Sequence, residues 1–263
     1  MIDQTFLSWT LTQFQVFLLI LARVAAMVFM MPIIGAGSVP KMIKVGLTII
    51  TSLILLPVTN IDVKQVPDGI LSMALLLGKE FFVGLTLSLV LKLVFGGIQF
   101  AGQMIGFQMG FGIASVMDPD MGQETPVLAE LGYLIGLLVF LAVNGHHLFF
   151  QTVAYSFSIL NPGEISLTPG VYKRVIAAGG DMFVIALKIM APVMAVLFFV
   201  QVAMGIVAKA VPQMNILVVS FPITICIGLI FFGLSMQVMA PLFVRTLQET
   251  ANILPLLMRD FRG

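Results

Sequence analysis

Residues 182–211 read MFVIALKIMAPVMAVLFFVQVAMGIVAKAV, a run of thirty residues with only two charges, Lys188 and Lys209. As a helix this run would be about 45 Å long, whereas the hydrocarbon core of a bilayer is about 30 Å thick. Only Pro212 separates it from a second apolar run, residues 213–244. The pair therefore predicts a long helical hairpin whose helices tilt, kink or protrude from a membrane.

The rest of the chain has the same apolar character. Of its 263 residues, 60% are hydrophobic and 10% are charged, against about 25% charged residues in an average soluble domain. The apolar runs lack the polar–apolar alternation of a membrane-spanning β-barrel. The formal net charge of +1 offers no electrostatic footprint for nucleic acid. These features predict an all-α integral membrane protein and argue against a soluble enzyme or a nucleic-acid-binding protein.

The apolar runs predict about six long, kinked helices arranged as hairpins in a single membrane domain, residues 1–263. Pro192, Pro222 and Pro241 lie inside predicted helices, where proline is a ready kink site. The runs themselves are residues 14–34, 42–56, 70–95, 127–150, 182–211 and 213–244. We expect N-terminal helices at 14–99, a Gly-rich pore or plug loop region at 100–126, middle helices and a polar connector at 127–181, the long hairpin at 182–245 and a C-terminal tail at 246–263.

Basic residues indicate the orientation of the predicted helices. In a six-helix arrangement, six basic residues fall on the side shared by both termini: Lys64, Lys173, Arg174, Arg245, Arg259 and Arg262. Three fall on the other side: Lys41, Lys44 and Lys209. Basic residues are enriched on the cytoplasmic side of membrane proteins. The distribution therefore predicts a cytoplasmic C-terminus.

A Gly-rich stretch separates the third run from the fourth. Gly102, Gly106 and Gly110 form two overlapping G-x-x-x-G steps, which place three glycines on one helix face where another helix can approach closely. Ordinary packing of membrane helices is one interpretation of this pattern. However, Gln103 and Gln108 accompany the glycines, and amides in lipid are costly unless they face a partner or water. The stretch therefore also suits the lining or lid of a pore.

Six ionisable residues lie within or at the edge of apolar runs: Arg23, Lys79, Glu80, Lys92, Glu130 and Lys188. We expect Lys92 and Lys188 to lie near helix ends, where a long side chain can place its charge in water. An unpaired charge at the centre of a membrane helix costs about 2.5–3.5 kcal/mol on insertion scales. Arg23 and Glu80 lie deepest, so we expect each to face a protein partner or a polar cavity. Lys79 and Glu80 are adjacent and should serve different neighbours on a helix. The sequence leaves open whether Arg23 and Glu80 pair with each other.

No motif in the sequence indicates catalysis or a bound metal. His146 and His147 are adjacent and diverge by about 100° on a helix, whereas a helical metal site places histidines three or four positions apart. We therefore expect no enzyme activity and no cofactor.

In their order along the chain, these features resemble the FliR/SctT family of type III export-gate membrane subunits. The resemblance covers essentially the whole chain, and its more specific parts are the Gly-rich stretch and the Pro-Gln-Met-Asn sequence that starts at Pro212. The motifs that carry it are Arg23, Pro32, Gly35 and Val39-Pro40-Lys41; Glu80 with Gly84; Gly102-Gln103; residues 106–111; Asp118-Pro119; residues 144–147; Ala191-Pro192; residues 211–215; and Phe221-Pro222.

This resemblance implies a structural and gating subunit of the bacterial flagellar protein-export gate, in the inner membrane at the flagellar basal body. The implied partners are FliP-like and FliQ-like membrane subunits, an FlhB-like switch protein, membrane lipid and the unfolded flagellar proteins that pass through the pore. It also implies that the intramembrane charges Arg23, Lys79, Glu80 and Glu130 face sister subunits. The implied pore or plug residues are Met109, Gly110, Phe111, Gly112, Met117, Asp118, Pro119, Met121 and Gly122. The implied packing residues are Gly102, Gln103, Gly106, Gln108, Pro212, Gln213 and Asn215.

Two other functions remain open from the sequence. A small-solute transporter that acts as a homo-oligomer would carry inverted repeats with broken helices at matching positions. A membrane-embedded enzyme would need a nucleophile, an acid pair or a cluster of metal ligands. The export-gate function is the one that the ordered motifs favour.

Overall fold

The computed structural model describes residues 4–35, 39–59, 69–111, 127–163, 165–213 and 215–262, and their regular structure is entirely helical. Seven helices follow one another in this part of the chain. They are α1 (Gln4–Met30), α2 (Lys41–Leu55), α3 (Ile70–Met109), α4 (Val127–Ala142), α5 (Gly145–Ile159), α6 (Pro169–Ala210) and α7 (Ile216–Arg262).

Most of these helices are long and apolar enough to cross a bilayer. Within the described residues, α1, α3, α6 and α7 meet this criterion, and α4 with α5 would be a fifth span if the two form one broken helix. The 42 residues of α6 and the 47 residues of α7 correspond to about 63 and 70 Å of helix. The prediction of an all-α integral membrane protein with unusually long helices is confirmed.

The third helix extends further than the sequence pattern predicts. It continues past Phe95 to Met109, so the first ten residues of the expected loop region 100–126 are helical. Glycine is unfavourable in a helix in water, but here small residues let a neighbouring helix pack closely, and that contact offsets the poor propensity. The helix ends at Gly110, whose φ of 95° is the left-handed conformation that commonly terminates a helix.

The last two helices are also longer than predicted. α6 begins at Pro169 inside the expected polar connector, and proline is well suited to the first turn because it needs no backbone hydrogen bond there. α7 continues to Arg262, so the expected tail 246–263 is helical over its described length. Leu254, Leu257 and Phe261 are buried at helical spacing. This apolar stripe holds the final turns in place despite their charges.

The predicted fourth run, residues 127–150, is two helices. Val143 and Asn144 separate α4 from α5. Asn144 is the non-glycine residue with positive φ (56°) in the described chain. Asparagine tolerates this left-handed conformation better than most residues, so it interrupts the helix.

The chain forms two compact units. The first comprises Met1–Lys92, Asn144–Gly179 and Gln248–Gly263, and the second comprises Leu93–Val143 and Gly180–Leu247. In the first unit, apolar side chains from several helices form a core that includes Ile20, Val24, Val83, Leu87, Phe149, Val153 and Leu257. In the second, Ile105, Met109, Leu128, Val193, Leu197 and Phe232 form one buried cluster, while the ring of Phe95 packs edge-to-face on Phe140 and Phe243.

In the first unit, α2 is polar on its buried side and apolar on its outer side. Lys44, Thr48 and Ser52 are buried, and the Lys44 ammonium donates to the carbonyl of Gly35 at 3.2 Å. The hydroxyls of Thr48 and Ser52 donate to carbonyls one turn earlier. The outward side carries Met42, Ile43, Ile50, Leu53 and Ile54. Such an arrangement is unfavourable in water and suits a helix whose surroundings are apolar.

Candidate functional site

The two deepest charges form an ion pair at the centre of the first unit. Arg23 on α1 and Glu80 on α3 approach to 2.6 Å between Nη2 and Oε2, and both side chains are completely buried. The Arg23 Nε also donates to the same oxygen at 2.7 Å. The guanidinium thus makes one hydrogen bond and one further ion-pair contact to a single carboxylate oxygen, which fixes the distance between the two charged groups.

Arg23 also binds the C-terminal end of α5. Its Nη1 donates to the backbone oxygen of Ser156 at 3.0 Å and to the Ser156 hydroxyl at 3.2 Å, and its Nη2 donates to the Leu160 carbonyl at 3.2 Å. The Ser156 oxygen also accepts from the Leu160 N–H, whereas carbonyls beyond the last turn of a helix lack intrahelical donors. A cation at this end is also favourable for the helix dipole. The guanidinium carbon lies 4.2 Å from the centroid of the Phe157 ring. One arginine thus joins three helices.

A glycine next to the ion pair lets α1 and α3 approach closely. Gly84 follows Glu80 by one helical turn, and a Cβ placed there would collide with the backbone oxygen of Arg23 and lie 3.0 Å from the Ala26 side chain. Because the two backbones touch at Gly84, the shorter glutamate side chain can reach the guanidinium.

This geometry corrects one expectation. Arg23 and Glu80 were expected to face sister subunits, but each is fully enclosed within the chain and faces the other. In a low-dielectric interior, each charge is the other's best available compensation. Lys79 and Glu130 differ, since both are exposed on the surface of the chain, and their contact with other subunits remains a prediction.

In the second unit, the first glycine of the G-x-x-x-G pattern is a helix contact. A Cβ at Gly102 would lie 2.6 Å from the Leu128 oxygen and 2.7 Å from the Ala129 Cα, both in the backbone of α4. Gly106 is also buried. The backbone of α4 thus approaches α3 directly at Gly102.

The C-terminal end of α3 packs against α7. The Met109 side chain is fully buried and lies over Gly228, where a Cβ would come within 2.7 Å of its Sδ. The Thr224 hydroxyl lies 3.4 Å from the Met109 carbonyl, and a Cβ at Gly110 would collide with the Phe221 ring. Gly110 is thus required for two reasons: its φ is positive, and the Phe221 ring leaves no space for a Cβ.

Two glutamines meet beside this junction. The Gln108 Nε2 donates to the Gln201 Oε1 at 3.2 Å, and the Gln201 Nε2 donates to the Gln108 carbonyl at 3.4 Å. Amide groups that satisfy each other in this way lower the cost of placing them in an apolar setting. Gln103 is partly buried, and Phe111 is exposed.

The remaining predicted site residues fall in two groups. Pro212, Gln213 and Asn215 lie between α6 and α7 and are exposed, so their packing role toward other subunits stays a prediction. The expected plug residues Gly112, Met117, Asp118, Pro119, Met121 and Gly122 lie outside the described residues.

Sequence reasoning missed several residues that complete these contacts. Ser156, Phe157 and Leu160 contribute to the Arg23 site. Thr224 and Gly228 contribute to the surface of α7 on which Met109 packs. Backbone acceptors carry no side-chain signature, and a single glycine in an apolar helix has no spacing pattern to distinguish it.

Within the described residues, no group of three or more His, Cys, Asp or Glu side chains could hold a metal ion. The contacts described above, the Arg23–Glu80 site and the contacts of Gly102, Met109 and Gln108, hold helices of the chain together.

Comparisons with known proteins agree with the sequence pattern. The family described as bacterial export proteins, family 1, matches residues 14–250. The chain is 34% identical to the flagellar biosynthetic protein FliR of Bacillus subtilis (strain 168), over 92% of this chain and 96% of that protein. It is 29% identical to FliR of Escherichia coli (strain K12), over 89% of each chain, and 25% identical to FliR of Aquifex aeolicus (strain VF5), over 92% of this chain and 93% of that one.

Proposed function

This chain belongs to the family of bacterial export proteins, family 1, and from that premise we propose that it is a structural and gating subunit of a bacterial flagellar protein-export gate. Its place would be the inner membrane at the base of the flagellum, where unfolded flagellar proteins pass through the channel. The flagellar assignment rests on the names of its relatives in Bacillus subtilis and Escherichia coli.

The observation that carries the proposal is the apolar surface that α7 leaves exposed. Val218, Leu229, Ile230, Leu234 and Val238 are each between 47% and 66% exposed. Exposed apolar surface of this extent needs lipid or other apolar protein surfaces to cover it. We propose that other membrane subunits cover part of it.

This requirement suits a subunit of a hetero-oligomeric membrane assembly. Only 22% of the most apolar part of α7 is buried within the chain, compared with 61% for α3. We propose FliP-like and FliQ-like membrane subunits as the neighbours along α6 and α7, with an FlhB-like protein also bound to the assembly. The exposed Lys79 and Glu130, and the turn residues Pro212, Gln213 and Asn215, are proposed contacts to these neighbours.

The gating part of the proposal concerns the segment from Met109 to Gly122. Met109 and Gly110 are fixed on α7, so the segment starts from a defined position. Its glycines and methionines suit a surface that must rearrange around a moving polypeptide. We propose that this segment helps to close the pore when no substrate is passing.

Gene deletion with complementation tests the export function. Cells that lack this chain should not release flagellar proteins into the medium or build filaments, and the intact gene should restore both. Release and motility unchanged by the deletion would contradict the function. Solute uptake by the purified chain in liposomes would favour the homo-oligomeric transporter instead.

Deletion of residues 112–122 tests the gating function separately. The chain that lacks residues 112–122 should still assemble with its partners, as judged by co-purification, while the membrane becomes permeable to small ions. A Gly233→Ala chain is the matched control, because a Cβ at that position meets no heavy atom within 4 Å. An assembled complex with unchanged permeability would contradict the gating role.

A further inference from the structure

A groove of about 550 Å³ lies between α5 and the last turns of α7. Leu148, Thr152 and Tyr155 form the α5 wall, and Leu254, Pro255 and Met258 form much of the α7 wall. Nothing in the ion pair, the Gly-rich stretch or the proposed gate uses this groove.

The groove is lined along both helices. Its lining residues on α5 run from Leu148 to Ser158, which corresponds to about 15 Å of helix. Those on α7 run from Ala251 to Met258. A flexible hydrocarbon chain can follow an apolar lining of this length.

One end of the groove is cationic. Arg259 and Arg262 follow Met258 within about one turn of α7, and both are exposed. Asp260 forms an ion pair with Arg174 at the start of α6, which places the neighbouring, exposed Lys173 at the same end. Because Arg174 and Asp260 neutralise each other, the described residues that make this end cationic are Lys173, Arg259 and Arg262.

Polar groups also border the groove. Tyr155 is 49% exposed, and tyrosine is enriched where membrane proteins meet the lipid headgroups. Gln151 and Ser158 line the same wall and are exposed. Apolar walls, an interfacial tyrosine and a cationic end are the features that recognise an anionic lipid between membrane helices.

We propose that this groove binds one acyl chain of an anionic glycerophospholipid, whose headgroup phosphate lies against Lys173, Arg259 and Arg262. The hydrocarbon walls give affinity for any lipid tail. The charge complementarity at the end of α7 selects an anionic headgroup over a zwitterionic one.

Native mass spectrometry of the purified full-length chain in its membrane complex tests this site. The delipidated complex is titrated with dioleoyl phosphatidylglycerol or with dioleoyl phosphatidylcholine. We expect tighter binding of phosphatidylglycerol by at least tenfold. The double variant Arg259→Gln/Arg262→Gln should remove this preference, while Lys41→Gln, an exposed basic residue outside the groove, should leave it unchanged.

Two further variants test the groove itself. Ala251→Trp fills the α7 wall and should lower the affinity for both lipids, whereas Leu256→Trp on the same helix, outside the groove, should not. A photo-crosslinking residue in place of Gln151 should label lipid. Equal affinity for the two lipids, unchanged binding after both the charge and the filling variants, or cross-linking of Gln151 to another protein chain would overturn the proposal. Because the charge variants alter only exposed side chains, the test stands even if Ala251→Trp does not fold.

Discussion

At the residue scale, Arg23 determines how the first unit is held together. It compensates the charge of Glu80 and binds two carbonyls at the end of α5. Replacing a buried ion pair by apolar residues is often tolerated, but removing one partner leaves a buried charge with no compensation. The test of this interaction is therefore whether the double variant loses less free energy of unfolding than the two single variants together.

We predict that Arg23→Met and Glu80→Met each lower the free energy of unfolding by about 3–5 kcal/mol, because each leaves one buried charge unpaired. The double variant Arg23→Met/Glu80→Met should lose less than the sum of the two. Thermal unfolding in detergent measures all three chains. Lys79→Met, an exposed neighbour of Glu80, is the control and should change stability little.

Charge reversal gives a second, independent outcome. The swapped chain Arg23→Glu/Glu80→Arg should stay unstable, since position 23 also donates to the Ser156 and Leu160 carbonyls and glutamate has no such donors. Full recovery in the swapped chain would mean that the carbonyl contacts contribute nothing.

The sequence predicted part of this site. The depth of Arg23 and Glu80 in apolar runs predicted that each needs a polar neighbour. Their pairing was left open because 57 positions separate them and several other charges lay in similar runs. The carbonyl acceptors could not be found at all, since every residue carries one.

At the element scale, glycines set the distance between helices. Gly84 and Gly102 each touch the backbone of a neighbouring helix. A Cβ at Gly97 would likewise lie 2.9 Å from the backbone oxygen of Met182, whereas Gly78 in the same helix faces open space. The positions of the glycines rather than their number therefore decide the packing. The G-x-x-x-G spacing indicated a helix face that another helix can approach, but it did not indicate that α4 would be that helix.

We predict that Gly102→Ala lowers the free energy of unfolding by about 1–3 kcal/mol, because its Cβ would collide with the α4 backbone and the helices must move apart. Gly78→Ala in the same helix is the matched control, since a Cβ there meets no heavy atom within 4 Å. It should be neutral or slightly stabilising, because alanine is the better helix former. Equal losses from the two substitutions, measured by thermal unfolding, would contradict this account of the contact.

A smaller effect is expected where α7 supports Met109. Gly228→Ala places a Cβ within 2.7 Å of the Met109 side chain, but methionine is flexible and can adopt another rotamer. We therefore predict a smaller loss of stability than for Gly102→Ala, with Gly233→Ala as the control in the same helix. A loss larger than that of Gly102→Ala, in the same unfolding assay, would mean that Met109 cannot move.

Helix ends were the least predictable feature at this scale. The expected loop region 100–126 is rich in glycine, a poor helix former in water, yet α3 continues to Met109 and a neighbouring helix packs on Gly102. The expected tail 246–263 follows the last apolar run, yet Leu254, Leu257 and Phe261 are buried and keep α7 helical. In both places tertiary packing decides against local propensity.

At the scale of the whole molecule, the central feature is apolar surface that the chain does not bury. Long apolar runs predicted membrane helices correctly, and their excess length predicted an unusual arrangement. Which surfaces meet lipid and which meet protein depends on chains that the sequence does not contain.

Cross-linking from the exposed side of α7 distinguishes these surfaces. Photo-crosslinking residues replace Val218 and Val238, two exposed apolar side chains of this helix. We predict that at least one of them labels another membrane subunit in intact cells. Labelling of lipid alone at both positions would contradict the proposed assembly.

Purification of the tagged chain in mild detergent, followed by mass spectrometry of the bound proteins, tests the central claim most directly. A subunit of a flagellar export gate should elute with two smaller, apolar membrane proteins of unrelated sequence, in a fixed ratio. A pure monomer or homo-oligomer from the same cells would contradict the claim.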